Sequence, residues 1–265
     1  MYMEKEHDSG EVLLYESRYV DGKQVRVYDM DDSWHSAVYV EPGHHFDLVF
    51  EYTKKFNLIF EHIRKDASIL MIGGGAYSCP KYMISHYPGT KITVVDIDPE
   101  SFRIAEKYFF LDELIEQYDP IRKGRLVPVT LDGRYYLETS VQTFDAIIDD
   151  AFYGFMPVFE LKTYEAMESI KEHLNPGGIY CANLPGYMDL NESEYLLRTL
   201  KTAQQVFRHV LLVQAYTLGS DITCNYVMFA SDTCDHLSDM MEYDVSGCDV
   251  IYDEELDDLR ENYDF

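Results

Sequence analysis

The chain has 265 residues, 46% of them hydrophobic, which suits one large domain or one domain with a small appendage. Its net charge of −26, from 48 acidic against 22 basic residues, repels a phosphate backbone, so nucleic acid is not an expected partner. No stretch reaches the roughly 18 apolar residues that span a bilayer. "MYMEKEHDSGE" lacks the apolar centre of a signal peptide. Cys79, Cys181, Cys224, Cys234 and Cys248 show no CxxC spacing, and their odd number speaks against a disulfide framework. Reduced thiols and a cytoplasmic location are expected. An acidic surface attracts cationic ligands and also keeps a protein soluble; solubility is the plainer reading.

Along the chain, "VLLYESRYV" and "QVRVYDM" flank Asp21-Gly22, a strong hairpin signal, and "SAVYV" (36–40) offers a third strand. Residues 1–45 are thus expected to form an N-terminal β-segment. "DLVFEYTKKFNLIFEHI" (47–63) reads as an amphipathic helix. From 46 to 231 strands and helices alternate. Strands are expected at 69–72, 91–95, 126–130, 144–149, 178–183, 209–216 and 223–230. Helices are expected near 78–87, 99–117, 133–139, 157–174 and 190–207. The alternation predicts an α/β, Rossmann-like doubly wound sheet with helices on both faces. "TLGSD" (217–221) would turn the last two strands into an antiparallel hairpin. Residues 232–265 form an acidic tail, with 13 Asp and Glu against Arg260 alone among Lys and Arg. Such a run is usually solvated, although Val250, Ile251, Tyr252, Leu256 and Leu259 offer a packing face.

Ligands of such sheets bind at the carboxyl ends of the strands. Gly73, Gly74 and Gly75 follow the first parallel strand and allow backbone to approach a ligand closely. "KITVVDIDPE" ends the second strand in Asp96, 21 residues after Gly75, where a carboxylate can accept from both ribose hydroxyls; Ile97 follows it. Asp98 and Pro99 read as a helix N-cap and N1. Asp132-Gly133 ends the third strand, placed either to accept from an adenine amine or to cap a helix. "FDAIIDDAFYG" delivers Asp149 and Asp150 to the same edge, with Asp150 the preferred functional acid and Asp149, Phe152 and Tyr153 as pocket residues. Phe152, Tyr153, Phe155 and Tyr187 could present aromatic faces to an organic cation, or simply line the core. A dinucleotide is a poorer fit, because Ser78 stands where the third fingerprint glycine belongs. An adenosyl sulfonium suits the acid-rich edge better. His35, His44, His45 and Asp47 match no defensible metal-ligand spacing, so no metal is expected. Cys79 and Gly177-Gly178 read as packing and turn residues.

At these residues the chain resembles the spermidine synthase family and its spermidine-synthase-like relatives. The carrying segments are "YESRYVDGKQVRVYDM", "FDLVFEYTKKF", "LMIGGGAYSCPKYM", "VVDIDPE", "LDGRYYL", "FDAIIDDAFYG" and "LNPGGIYCANLPG". The resemblance implies an N-terminal β-domain before a seven-stranded methyltransferase-like domain, often in a dimer or tetramer, with a homodimer expected here. It implies that Asp96 binds ribose, Asp132 adenine, and Asp150 faces an acceptor amine. It also marks departures: Ala76 and Tyr77 follow the glycines where the aminopropyltransferases carry an acid, and Tyr153 replaces the second acid of their D-x-x-D segment. Three functions are consistent with this pattern. They are aminopropyl transfer from decarboxylated S-adenosylmethionine to an amine or polyamine-like acceptor, methyl transfer from S-adenosylmethionine, and nucleoside binding without turnover.

Overall fold

Asp21 and Gly22 turn the chain with φ of 50° and 75°, the left-handed pair that a two-residue hairpin needs. They join two strands of an antiparallel sheet that runs in the order β1 (Met3–His7), β2 (Gly10–Val20), β3 (Lys23–Met30), β4 (Ser33–Tyr39). The computed structural model describes residues 3–7, 10–30, 33–154, 156–217 and 220–262, with side chains over 20–29, 34–154, 156–217 and 220–261. Phe155, two residues of the "TLGSD" turn and the end of the acidic tail lie outside them. Strand β1 was not expected, because "MEKEH" has no apolar alternation to announce it. Residues on β3 and β4 alternate faces. Val25, Val27, Ala37 and Tyr39 form one small core with Val20 and Val49. Tyr28 and Val38 face the other way and pack on Ala76, Ile104 and Phe109.

After α1 (Glu51–Lys55) the chain enters the main sheet. Its strands are β5 (Ser68–Ile72), β6 (Lys91–Asp96), β7 (Leu126–Thr130) and β8 (Phe144–Asp149). A small hairpin follows, β9 (Phe152–Tyr153) with β10 (Met156–Pro157), and then β11 (Leu174–Tyr187), β12 (His209–Tyr216), β13 (Thr223–Ser231) and β14 (Met240–Met241). The order is β14-β12-β13-β11-β8-β5-β6-β7. Strands β5, β6, β7, β8 and β11 run parallel to one another, while β13 runs antiparallel between β11 and β12. This is the expected α/β sheet with one correction. It has eight strands rather than seven, because the two residues of β14 extend the edge of β12.

The other helices are α2 (Ser78–His86), α3 (Ser101–Tyr108), α4 (Leu111–Tyr118), α5 (Gly133–Thr139), α6 (Tyr164–Glu172), α7 (Glu194–Val206) and α8 (Leu256–Asn262). Both faces of the sheet are covered. Ile69, Met71 and Ile148 pack under Met83, Ala105 and Leu114 of α2, α3 and α4. Leu70, Ile147 and Tyr180 pack under Leu137, Ile170 and Leu200 of α5, α6 and α7.

Three expected helices are shorter or broken. The helix expected over 47–63 is α1 followed by a 3-10 turn, Phe56–Glu61. The one expected over 99–117 breaks at Phe110, whose φ is 59°. There the carbonyls of Tyr108 and Phe109 accept from Arg26 and from the buried Lys81, replacing helical partners. Helix α6 starts only at Tyr164, where the Thr163 hydroxyl accepts from the Ala166 N–H at 3.2 Å. The acidic tail is not wholly solvated. Ile251 and Leu259 are buried against Phe159 and Tyr195. Asp253 receives the Arg134 guanidinium at 2.8 Å and the Thr163 hydroxyl at 2.5 Å, and Arg198 pairs with Glu255 at 2.6 Å.

Candidate active site

Strands β5, β6, β7 and β8 end side by side, which brings Gly73–Gly75, Asp96, Asp132 and Asp150 to one edge. The contacts are close. A Cβ on Gly73, whose φ is +87°, would lie 2.3 Å from the carbonyl oxygen of Asp150, and one on Gly133 would lie 2.3 Å from Ile72 Cγ2. No other residue fits either junction.

Asp96 organises the glycine loop. Its Oδ2 accepts the N–H groups of Gly74 at 2.7 Å and Gly75 at 3.2 Å, and its Oδ1 accepts from Asp98 at 2.9 Å. Burial raises its pKa, and these three donors work against the shift. The loop amides that would cradle a pyrophosphate in a dinucleotide site are thus occupied by a carboxylate of the chain itself. Ile97 beside it is 69% exposed, an apolar surface at the rim. Asp98 accepts from the Glu100 N–H at 2.8 Å ahead of α3, which begins two residues later than expected. Asp132 is exposed and caps α5 by accepting from the Tyr135 N–H at 2.8 Å.

The two adjacent acids part company. Asp149 is 1% exposed and turns into the core. Its Oδ2 accepts from Lys162 Nζ at 2.6 Å and from the Tyr180 hydroxyl at 2.9 Å. The expected pocket residue is instead half of a buried ion pair. Asp150 is half-buried at the strand edge. Its Oδ1 accepts from Asn183 Nδ2 at 2.9 Å, and the Tyr52 hydroxyl faces the same carboxylate. Burial pushes the Asp150 pKa up to about 7; the Asp149 charge adds to the rise, while Asn183, Tyr52 and Lys162 oppose it.

Asn183 leads into a relay. Its Oδ1 accepts from Asn225 Nδ2 at 2.8 Å, and Asn225 Oδ1 accepts from the Thr217 hydroxyl at 2.9 Å. Sequence reasoning missed Tyr52, Asn183, Asn225 and Thr217. The signal for Asn183 was present: a polar side chain interrupts the buried run "IYCANL". Tyr52 gave none, since its hydroxyl is 98 positions from Asp150.

Of the remaining candidates, Phe152 is half-buried and Tyr153 is 68% exposed, both on the small β9–β10 hairpin. Tyr187 is half-buried, and its carbonyl accepts from the Tyr226 hydroxyl at 2.8 Å. Cys79 is buried and burial pushes its thiol up, as packing requires. Ala76 is fully buried, and its N–H donates to Ser36 Oγ of β4 at 3.0 Å. His44 pairs with Asp47 at 2.6 Å, and His45 stacks on Phe110 and contacts Glu113 at 2.7 Å. Among the described residues no group of three or more His, Cys, Asp or Glu is placed to hold a metal ion, and no helix is long and apolar enough to cross a membrane.

Strand order and the glycine–acid edge define a methyltransferase-type α/β domain behind an N-terminal β-sheet. A family model for the spermine/spermidine synthase domain matches residues 52–251, and the chain belongs to that family. A crystal structure of a probable spermidine synthase from Corynebacterium glutamicum superposes with a TM-score of 0.77 at 23% identity, over 96% of each chain. The chain is 32% identical over 118 residues to a probable polyamine aminopropyl transferase of Bifidobacterium longum, covering 44% of this chain and 24% of that protein. It is 30% identical over 175 residues to an N-terminal histidine N-methyltransferase of Emericella nidulans, covering 63% of this chain and 29% of that protein. The chain thus spans less than a third of either curated relative.

Proposed function

We propose that the protein is a transferase that binds an adenosyl sulfonium at the glycine–Asp96 edge and alkylates an amine held at Asp150. The reading extends to decarboxylated S-adenosylmethionine as cosubstrate, aminopropyl as the transferred group and a cytoplasmic homodimer as the working form. The observation that carries it is the Asp150 carboxylate, half-buried beside Tyr52 and Asn183 with its pKa near 7, one strand from a glycine loop closed by Asp96. The sulfonium supplies an electrophilic carbon and a neutral thioether leaving group.

The chain supplies position and a proton acceptor. Asp96 would take the ribose hydroxyls on lone pairs left beside its loop contacts, Ile97 would lie under the adenine, and Asp132 would face its amine. An alkylamine is protonated near neutrality, its reference pKa being about 10.4. Asp150 takes that proton, and a base near the working pH is well matched to the task. The amine lone pair forms the N–C bond as the C–S bond breaks, and the electron pair leaves on sulfur. Tyr52 and Asn183 hold the carboxylate in place, so that approach geometry supplies much of the rate.

Methyl transfer from S-adenosylmethionine is the second reading, and one feature favours it. Ala76 is sealed against Tyr28 and Val38, so the tip of the glycine loop offers no acid to a transferred ammonium and no repulsion to a methionine carboxylate. The methyltransferase named among the relatives supports it too. Calorimetry with methylthioadenosine and both sulfonium nucleosides tests the two readings. Binding of methylthioadenosine and the decarboxylated nucleoside supports aminopropyl transfer. Tight binding of the carboxylated nucleoside alone moves the function to methyl transfer, and no binding by any of the three overturns both.

A further inference from the structure

The relay behind Asp150 has a direction. Thr217 donates to Asn225, Asn225 to Asn183, and Asn183 to Asp150. An ionised Asp150 can only accept, which fixes the Asn183 amide with its nitrogen toward the carboxylate. The Asn225 amide and the Thr217 hydroxyl follow in turn. Asn183 of β11, Asn225 of β13 and Thr217 just after β12 therefore carry three neutral side chains outward from a single carboxylate. Asp149, the adjacent acid, is turned into the core on Lys162 and Tyr180 and has no part in this surface. From Asp150 Oδ1 to Asn225 Nδ2 the path is two hydrogen bonds and one amide group, at most on the order of 8 Å, about the length of a four- or five-atom chain. Asn225 and Thr217 are half-buried, so the far end of the relay keeps some exposure.

One anion balances one cation. A second ammonium extended along this path would meet the amide and hydroxyl groups of the relay, whose members past Asp150 carry no charge, and it would lose its water for that contact. A neutral hydroxyl or carboxamide would exchange water for the free hydrogens and lone pairs of Asn225 and Thr217 at little cost. We propose that the acceptor is a monocationic amine whose nitrogen meets Asp150 and whose distal end is a neutral hydrogen-bonding group meeting Asn225 and Thr217. This rests on the transferase reading above and makes Asn225 a specificity-determining residue within it.

Calorimetry of the full chain saturated with methylthioadenosine tests this with aminobutanol, diaminobutane and butylamine. Aminobutanol should bind at least about tenfold more tightly than diaminobutane, with butylamine between them. Asn225→Asp places a second carboxylate on the path and should reverse that order. Thr217→Asp, nearer solvent, should do the same if the first variant folds poorly. Tighter binding of diaminobutane by the unmodified chain overturns the proposal, as does an unchanged order in a folded aspartate variant. Nucleoside binding with no amine binding also overturns it and leaves the nucleoside site standing. Failure of methylthioadenosine to bind overturns the transferase reading itself, and the proposal with it.

Discussion

Asp149 and Asp150 leave β8 on opposite faces of the central sheet, and the two faces treat the same side chain differently. On the α5–α7 face Asp149 meets Lys162 and Tyr180 in a fully buried core. On the α1–α2 face Asp150 meets Tyr52 and Asn183 at an edge that keeps some solvent. Adjacent strand residues alternate faces, so one position decides between a structural ion pair and a candidate base. Neither the residue type nor its distance from the glycine loop distinguishes them; only the partners do.

The largest effect should come from breaking the buried side of that contrast. Lys162→Met leaves Asp149 charged and unpaired, and should cost about 3–5 kcal/mol in denaturant unfolding. Adding Asp149→Leu should recover most of the loss, because an apolar pair needs no counter-charge. On the other face, Asp150→Asn should leave folding and nucleoside binding intact and lower turnover by about a hundredfold or more in a steady-state assay. Equal loss of binding in Asp150→Asn and Asp96→Ala would erase the division of roles between these acids.

The contrast also carries a pH dependence. The Asp150 pKa is raised from 3.8 to about 7 in the fold, so the folded chain holds a proton that the unfolded chain has released between those values. Its contribution to stability therefore falls as pH rises from about 4 to 7, and Asp150→Asn should flatten that slope in thermal unfolding. Turnover should run the other way and rise through pH 7 as the carboxylate ionises. Tyr52→Phe removes a donor that lowers the pKa, so the midpoint of that rise should move to higher pH. The smallest effect should come from the strap outside the site. Arg134→Gln loosens its contacts with Asp253 and Glu138 and should cost about 1 kcal/mol, with nucleoside affinity unchanged.

Much of the sheet was legible in the sequence because buried parallel strands read as short apolar runs, as at 69–72 and 144–149. The edge that collects Gly75, Asp96, Asp132 and Asp150 followed from strand ends alone. What stayed hidden depends on long-range partners. The break at Phe110 has no Gly or Pro to mark it and is held by Arg26 and Lys81 from other elements. Ile251 and Leu259 were visible as apolar positions, but their burial under Phe159 and Tyr195 was not. The opposite fates of Asp149 and Asp150 turned on Lys162, whose place beside Asp149 depends on the loop between β8 and α6.

Ala76 has a consequence for how this protein could change its trade. The residue is closed in by Tyr28 and Val38 from one sheet and by Ile104 and Phe109 from the other domain's helices, with Ser36 tied to its N–H. A carboxylate introduced there alone would arrive in an apolar cage. The tip of the glycine loop and the underside of the N-terminal sheet are therefore locked in mutual epistasis. An acid at this position requires coordinated replacements on both, so no single substitution installs one there without cost.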